Sequence, residues 1–216
     1  MTETRVGGER ATKIIEGLPF DGSITTDIIG YIGGLWILWK SEEVEILPLS
    51  STKQEIHVTV KVCSSNLTWL LSTIYASLSL RLAERRILWE SLKTVAHLHN
   101  LPWLMLGDFN EVLYDDDKFG GNHVNLNKAL EFKDCLDECN MVDLGFVGPK
   151  FTWTNRKPIS SLILERKDRC FANLVWRILY PEALVTHLPR TFSDHCPVLI
   201  ELCRARVNQQ SKPFRF

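Results

Sequence analysis

Trp103-Leu104-Met105-Leu106-Gly107-Asp108-Phe109-Asn110 decides how this chain is read. An apolar run of strand length ends in glycine, then sets a carboxylate and a carboxamide two residues apart. On extended chain, residues i and i+2 lie on the same side, so Asp108 and Asn110 would both reach one bound water or metal. Gly, Asp and Asn are also turn formers, so the same residues read equally as a plain turn. Ser193-Asp194-His195 is the counterpart, running into the apolar Cys196-Pro197-Val198-Leu199-Ile200. Adjacent residues on an extended segment point apart, so Asp194 and His195 share a site only if a turn bends them together; a plain turn is the alternative there too. Strand ends that present Asp, Asn and His at one sheet rim commonly build a hydrolytic phosphodiester site, which needs offset phosphate charge, an aligned water and a group that manages protons.

Outward from these stretches the hydrophobic periodicity gives the frame. Strands are expected over Leu35–Trp39, over Ile56–Val62 with its period of two, and over Trp69–Tyr75. Arg81–His99 carries apolar residues at 88, 92, 95 and 98, a helical stripe facing a sheet, and Asn127–Cys139 repeats the pattern at 129, 132, 136 and 139. Lys150–Asn155 follows a Gly148-Pro149 turn as a short strand. Arg169–Tyr180 reads as a strand turning into a helix, and Ala183–Leu188 and Pro197–Leu202 as final strands. Helices interrupt the strands without strict alternation, so a layered α/β fold with a mixed sheet and outer helices fits better than a βαβ repeat.

Composition narrows the class. The 216 residues carry a net charge of −1, which argues against a generally basic nucleic-acid coat protein but leaves room for one local basic groove. No apolar run approaches the roughly 18 residues that span a bilayer, and Met1-Thr2-Glu3-Thr4-Arg5 lacks a secretory apolar region; the chain reads as soluble and intracellular. The six cysteines form no CxxC pair and read as reduced, mostly buried thiols.

Other candidates have a structural and a chemical reading. Asp168 either orients the His195 imidazole or is a surface carboxylate in the charge run from Glu165 to Arg169. His97 and His99 point different ways on a helix, which disfavours a metal pair. Asp115-Asp116-Asp117 reads mainly as a solvated loop. Trp153 either packs in the core or flanks a groove.

Together, Gly107-Asp108-Phe109-Asn110-Glu111-Val112-Leu113, Gly120-Gly121, Phe151-Thr152-Trp153-Thr154-Asn155, Asp168-Arg169 with Ala172-Asn173, and Ser193-Asp194-His195-Cys196-Pro197 resemble the endonuclease/exonuclease/phosphatase superfamily. The resemblance is to its deoxyribonuclease I-like members, above all the endonuclease domains of plant LINE-type non-LTR retrotransposons, and it covers nearly the whole chain. It implies a four-layered α/β sandwich of two mixed sheets with outer helices over residues 1–203, followed by a polar tail or linker over 204–216. It implies metal-dependent hydrolysis of DNA phosphodiester bonds with magnesium or manganese, DNA as partner and a nuclear location; no obligate protein partner or membrane is implied, and no reverse transcriptase domain is present in this sequence. By the same resemblance Glu3 and Asp194 would serve the metal, Tyr75 would contact the scissile phosphate, and Asp108 would align or activate the attacking water. Asn110 would hold that water or the phosphate, and His195 would bind phosphate or share the proton work, oriented by Asp168. Trp153 and Asn155 would line the substrate groove.

Two departures accompany the resemblance. Family members begin with a Ser-Trp-Asn-Cys-Arg-Gly strand and a helix ahead of the glutamate motif, whereas this sequence starts at Thr2-Glu3-Thr4-Arg5. The expectation is a truncated copy, first strand missing, with reduced or absent activity; a catalytically inactive remnant that at most binds nucleic acid is the rival. Leu78 and Lys167 stand where the plant pattern has Pro and Leu, and Lys167 is expected to disturb the pocket beside Asp168.

Overall fold

The computed structural model describes Thr4 and residues 6–26, 34–77 and 82–203. Glu3, Leu78 and the tail expected from 204 onward lie outside the described residues. In chain order the elements begin with α1 (Gly8–Glu16), β1 (Gly22–Thr25), β2 (Trp36–Trp39), β3 (Val44–Ser51), β4 (Glu55–Val62), β5 (Thr68–Tyr75), α2 (Leu82–Leu98) and β6 (Trp103–Asp108). They continue with β7 (Lys118–Phe119), α3 (Leu126–Glu138), β8 (Met141–Asp143), β9 (Trp153–Thr154), β10 (Leu164–Glu165), β11 (Asp168–Asn173), α4 (Leu174–Leu179), β12 (Leu184–His187) and β13 (Val198–Glu201).

Six strands form one mixed sheet in the order β3-β4-β5-β6-β11-β8. The β5–β6 pair is parallel and the others antiparallel. A parallel pair needs a crossover, which α2 supplies. Both β5 and β6 are apolar at successive positions because both sheet faces are covered. The period of two then splits their side chains between two cores. Leu70, Ile74, Trp103 and Met105 join Leu88, Trp89 and Leu92 of α2 and Phe132 and Leu136 of α3. Trp69, Tyr75 and Leu104 face the other way, with Leu35, Ile37 and Trp176, and Ile24 and Ile200 packed against them. One sheet face thus carries α2 and α3, and the other carries β1-β2, β12-β13 and α4.

The α/β architecture with a mixed sheet and outer helices is therefore as expected. The second sheet layer consists, among the described residues, of two separate antiparallel pairs, β1-β2 and β12-β13, with a further small sheet β7-β10-β9. Five strands were not legible from periodicity: β1, β3 and the short β7, β8 and β10. β3 lies at the edge of the large sheet, mostly exposed, with a register irregularity between Pro48 and Ser50; an edge position tolerates proline and polar side chains. β1 is short and half exposed. No helix among the described residues is long and apolar enough to cross a membrane. All six cysteines are free, with Cys63 and Cys203 exposed and the other four buried.

The charged runs correct the sequence reading. Asp117 is buried rather than solvated: Arg169 Nη2 donates to it at 2.6 Å, while Arg169 Nη1 and Arg166 Nη2 each donate to Asp143 at 2.8 Å. Arg166, Lys167, Asp168 and Arg169 are all buried, so the Glu165–Arg169 run is interior. It folds inward because each charge finds an opposite partner, which removes most of the cost of leaving water.

Candidate functional site

Strand register alone brings three of the expected residues into line. In the parallel β5–β6 pair Tyr75 stands opposite Asp108, and in the antiparallel β6–β11 pair Asp168 stands opposite Asp108. Tyr75, Asp108 and Asp168 thus form a row across three adjacent strands at one end of the sheet. Gly107 makes the row possible. Its φ is +145°, and a Cβ there would sit 2.0 Å from the Ile74 carbonyl oxygen, so a side chain would push β6 off β5.

Phe109 anchors the turn at the end of β6. It is fully buried, stacking on Phe132 at 5.2 Å and meeting Phe171 edge-on at 5.1 Å. With Phe109 turned into the helical core, Asp108 and Asn110 flank it as a tight turn. Asn110 takes a left-handed φ of +49°, its backbone N–H donates to Asp108 Oδ1 at 2.9 Å, and its Nδ2 donates to Oδ2 at 2.7 Å. The turn reading of this motif is realised, and within the turn the two side chains bond to each other. Behind it, Glu111 and Arg85 form a buried ion pair, which sequence inspection did not single out.

His195 arrives from the loop between β12 and β13. Its Nδ1 donates to Asp168 Oδ2 at 2.8 Å, which makes Nε2 the ring nitrogen turned away from Asp168. Ser193 Oγ accepts the His195 backbone N–H at 3.0 Å and bends this segment, the turn that the adjacent Asp194 and His195 required. Trp153 forms a β-bridge with His195, and its Nε1 donates to Asp194 Oδ2 at 3.1 Å. Lys167 does not intrude on the site: its Nζ lies 3.6 Å from the Trp153 ring centroid and 3.0 Å from Glu165, so it braces the indole that steadies Asp194.

Thr152, inside the Phe151–Asn155 motif but not marked as a site residue, ties these pieces together. Its Oγ1 accepts the backbone N–H groups of both Lys167 and Asp168, each at 3.0 Å, and its carbonyl accepts the Cys196 N–H at 2.7 Å. Its signal in sequence was only its place between Phe151 and Trp153. Asn155 bonds within its own loop. Its Nδ2 donates to Ser161 O at 2.9 Å and its Oδ1 accepts the Ile163 N–H at 3.0 Å, so it shapes the loop beyond β9.

The electrostatics separate the two titrating groups. Burial, reinforced by the neighbouring Asp168 charge, pushes the Asp108 carboxyl up to about 7. Burial opposes the His195 cation, but the hydrogen bond and charge of Asp168, with Asp108 and Asp194, outweigh it and raise the imidazole to about 9. Burial also works against the Asp194 carboxylate, yet its own backbone amide, His195 and Trp153 hold it below the usual carboxylate range. At neutral pH the site pairs a carboxyl poised to take a proton with a cationic imidazole. Beside it opens a cleft of about 460 Å³ lined by Leu106, Asp168, Cys170, His195, Pro197 and Ile200.

Among the described residues no group of three or more His, Cys, Asp or Glu side chains is arranged to hold a metal ion. A magnesium-type ion needs only one or two protein carboxylates when phosphate and water complete its shell. Asp194, ionised and partly exposed at the rim, fits that role; Glu3 lies outside the described residues.

The fold is that of the endonuclease/exonuclease/phosphatase, or deoxyribonuclease I-like, proteins. The endonuclease domain of TRAS1, a telomere-specific non-LTR retrotransposon, superposes with a TM-score of 0.65 at 13% identity, covering 83% of this chain and 78% of that one. An AP endonuclease from Leishmania major gives 0.61 at 14% identity, covering 76% and 64%. TDP2 from D. rerio, solved with a single-strand DNA product, gives 0.52 at 17% identity, covering 82% and 74%. No protein-family model matches the chain, and no curated protein matches it.

Proposed function

We propose that this chain is a metal-dependent endonuclease-like phosphodiesterase acting on DNA, derived from a LINE-type retrotransposon. The observation that carries the reading is the row Tyr75–Asp108–Asp168 at one strand end, with His195 joined to it through Asp168. The superposed nucleases support it through fold, and the TRAS1 domain supports the retrotransposon origin.

In this reading Asp108, with a pKa near the working pH, takes the proton of the attacking water. Asn110 holds Asp108 by both carboxylate oxygens and keeps it aimed. His195, cationic and fixed by Asp168, presents Nε2 to a non-bridging phosphate oxygen as charge builds there. In-line attack would break the bond from phosphorus to the 3′ oxygen, which takes up a proton from solvent, and would leave a 3′-hydroxyl and a 5′-phosphate. A magnesium or manganese ion, when bound, would supply charge neutralisation at the phosphate, held by Asp194 with Glu3. Tyr75 would contact the phosphate from the β5 side of the row.

The test is nicking of supercoiled plasmid by the purified chain, with magnesium or with chelator. Asp108→Asn and His195→Ala should each lower the rate by about 10²–10⁴ while leaving the fold intact by circular dichroism. A folded chain that binds DNA but nicks no faster than either variant would refute the enzyme and leave an inactive nucleic-acid binder.

A further inference from the structure

Phe192 is 96% exposed, the most exposed of the large apolar side chains among the described residues, and it lies three residues before His195. A lone exposed apolar residue is ordinary. This one differs in how its backbone is held. Arg156 Nη2 donates to the Phe192 carbonyl at 2.5 Å, and on the other side Ser193 Oγ holds the His195 N–H. The ring is therefore presented outward from a fixed main chain at the rim of the site.

Arg156 is itself placed with care. It sits at a φ of +53°, uncommon for a residue with a side chain. That conformation is fixed by Thr154 Oγ1, which accepts the Arg156 N–H at 3.1 Å, and by Asn155, whose Oδ1 accepts the Lys157 N–H at 3.3 Å and whose Nδ2 closes the loop at Ser161. Asn155 thus acts at a distance, through loop shape and Arg156, on the segment that presents Phe192. The same loop exposes Lys157 and Ile159 to solvent, which puts a cation and a second apolar side chain on it.

We propose that Phe192 is a stacking platform for an unpaired nucleobase next to the phosphate held at His195, with Arg156 and Lys157 along the adjoining backbone. A planar ring on a rigid, cation-flanked rim suits a base already out of its stack, since base–aromatic stacking is strong and tolerant of sequence. The inference rests on the DNA-directed reading above and adds a preference for distorted or partly single-stranded substrate.

The experiment uses the whole chain in chelator, so that binding is read without cleavage. The probes are a duplex with one unpaired 2-aminopurine and the same duplex fully paired. Phe192→Ala should weaken binding to the unpaired probe about 10-fold and abolish the fluorescence change. Binding to the paired probe should change less than about 2-fold, and Phe192→Trp should keep both properties. Because the side chain is solvent-exposed, neither substitution disturbs the core. Equal binding of both probes by the wild-type chain and Phe192→Ala would overturn the stacking role while leaving the DNA-directed reading in place. Failure of the wild-type chain to bind either probe would overturn both.

Discussion

The two halves of the site are built differently. One half, Tyr75, Asp108 and Asp168, is borne by strands and set by the ladder: each residue's place follows from the register of β5, β6 and β11. The other half, Trp153, Asp194, His195 and Phe192, is borne by loops and set by side chains that capture backbone groups, chiefly Thr152, Ser193 and Arg156. A ladder spreads a perturbation over many hydrogen bonds. A captured loop depends on one or two. The strand half should therefore respond to substitution through charge, and the loop half through geometry.

The largest expected effect tests the charge of the strand half together with the imidazole that Asp168 holds. Asp108 has a folded pKa of about 7, above its ordinary value. Its contribution to stability is therefore full below about 4 and lost as pH rises through 7. His195, raised to about 9, contributes fully below about 6.5, and that contribution is lost as pH rises through 9. Denaturant unfolding in chelator should show each window by difference. The gap between the wild-type chain and Asp108→Asn should shift in favour of the variant between pH 4 and 7, and the gap to His195→Gln should shift in the same direction between pH 6.5 and 9. At about 1.4 kcal/mol per pKa unit these should amount to roughly 4 and 3 kcal/mol, respectively. Flat differences across both windows would mean that the row is not electrically coupled as its geometry implies.

The next effect tests whether one hydroxyl joins the halves. Thr152→Val keeps the shape and removes the acceptor for two buried N–H groups, which should cost about 1–3 kcal/mol. Through the displaced Asp168 it should lower kcat about 10- to 100-fold with little change in KM. Thr152→Ser should restore most of both. If Thr152→Val loses stability but keeps kcat, Asp168 is held by the ladder alone and the halves are independent.

This division also explains what could be read from the sequence. The mixed α/β frame, the two long helices and the strand ending at Gly107-Asp108 were legible, because period-two and period-3.6 patterns are local signals; the Asp168–His195 partnership came through the family resemblance, since the residues alone left a surface reading of Asp168 open. The burial of Asp117, Arg166, Lys167 and Arg169 was not. Charge runs look solvated until their partners, here as far apart as Asp117 and Arg169, are brought together by the fold. Thr152, Arg156 and the Arg85–Glu111 pair escaped notice for the same reason: their roles lie in contacts with residues far along the chain.

The smallest effect concerns Lys167, expected from sequence to disturb the pocket and found bracing Trp153. In Lys167→Leu, Glu165 keeps Lys118 at 2.6 Å, so no buried carboxylate is left alone. Replacing a buried ion-pair member with an apolar side chain of similar size is often neutral when the remaining partner stays satisfied. The lost contact with the indole face is worth about 0.5–2 kcal/mol, offset by leucine burial of the same order. Thermal unfolding should therefore move by no more than the equivalent of about 1 kcal/mol. A larger loss, accompanied by a change in Trp153 fluorescence, would show that the Trp153–Asp194 hydrogen bond hangs on the lysine, and that the loop half has one more point of capture than its hydrogen bonds reveal.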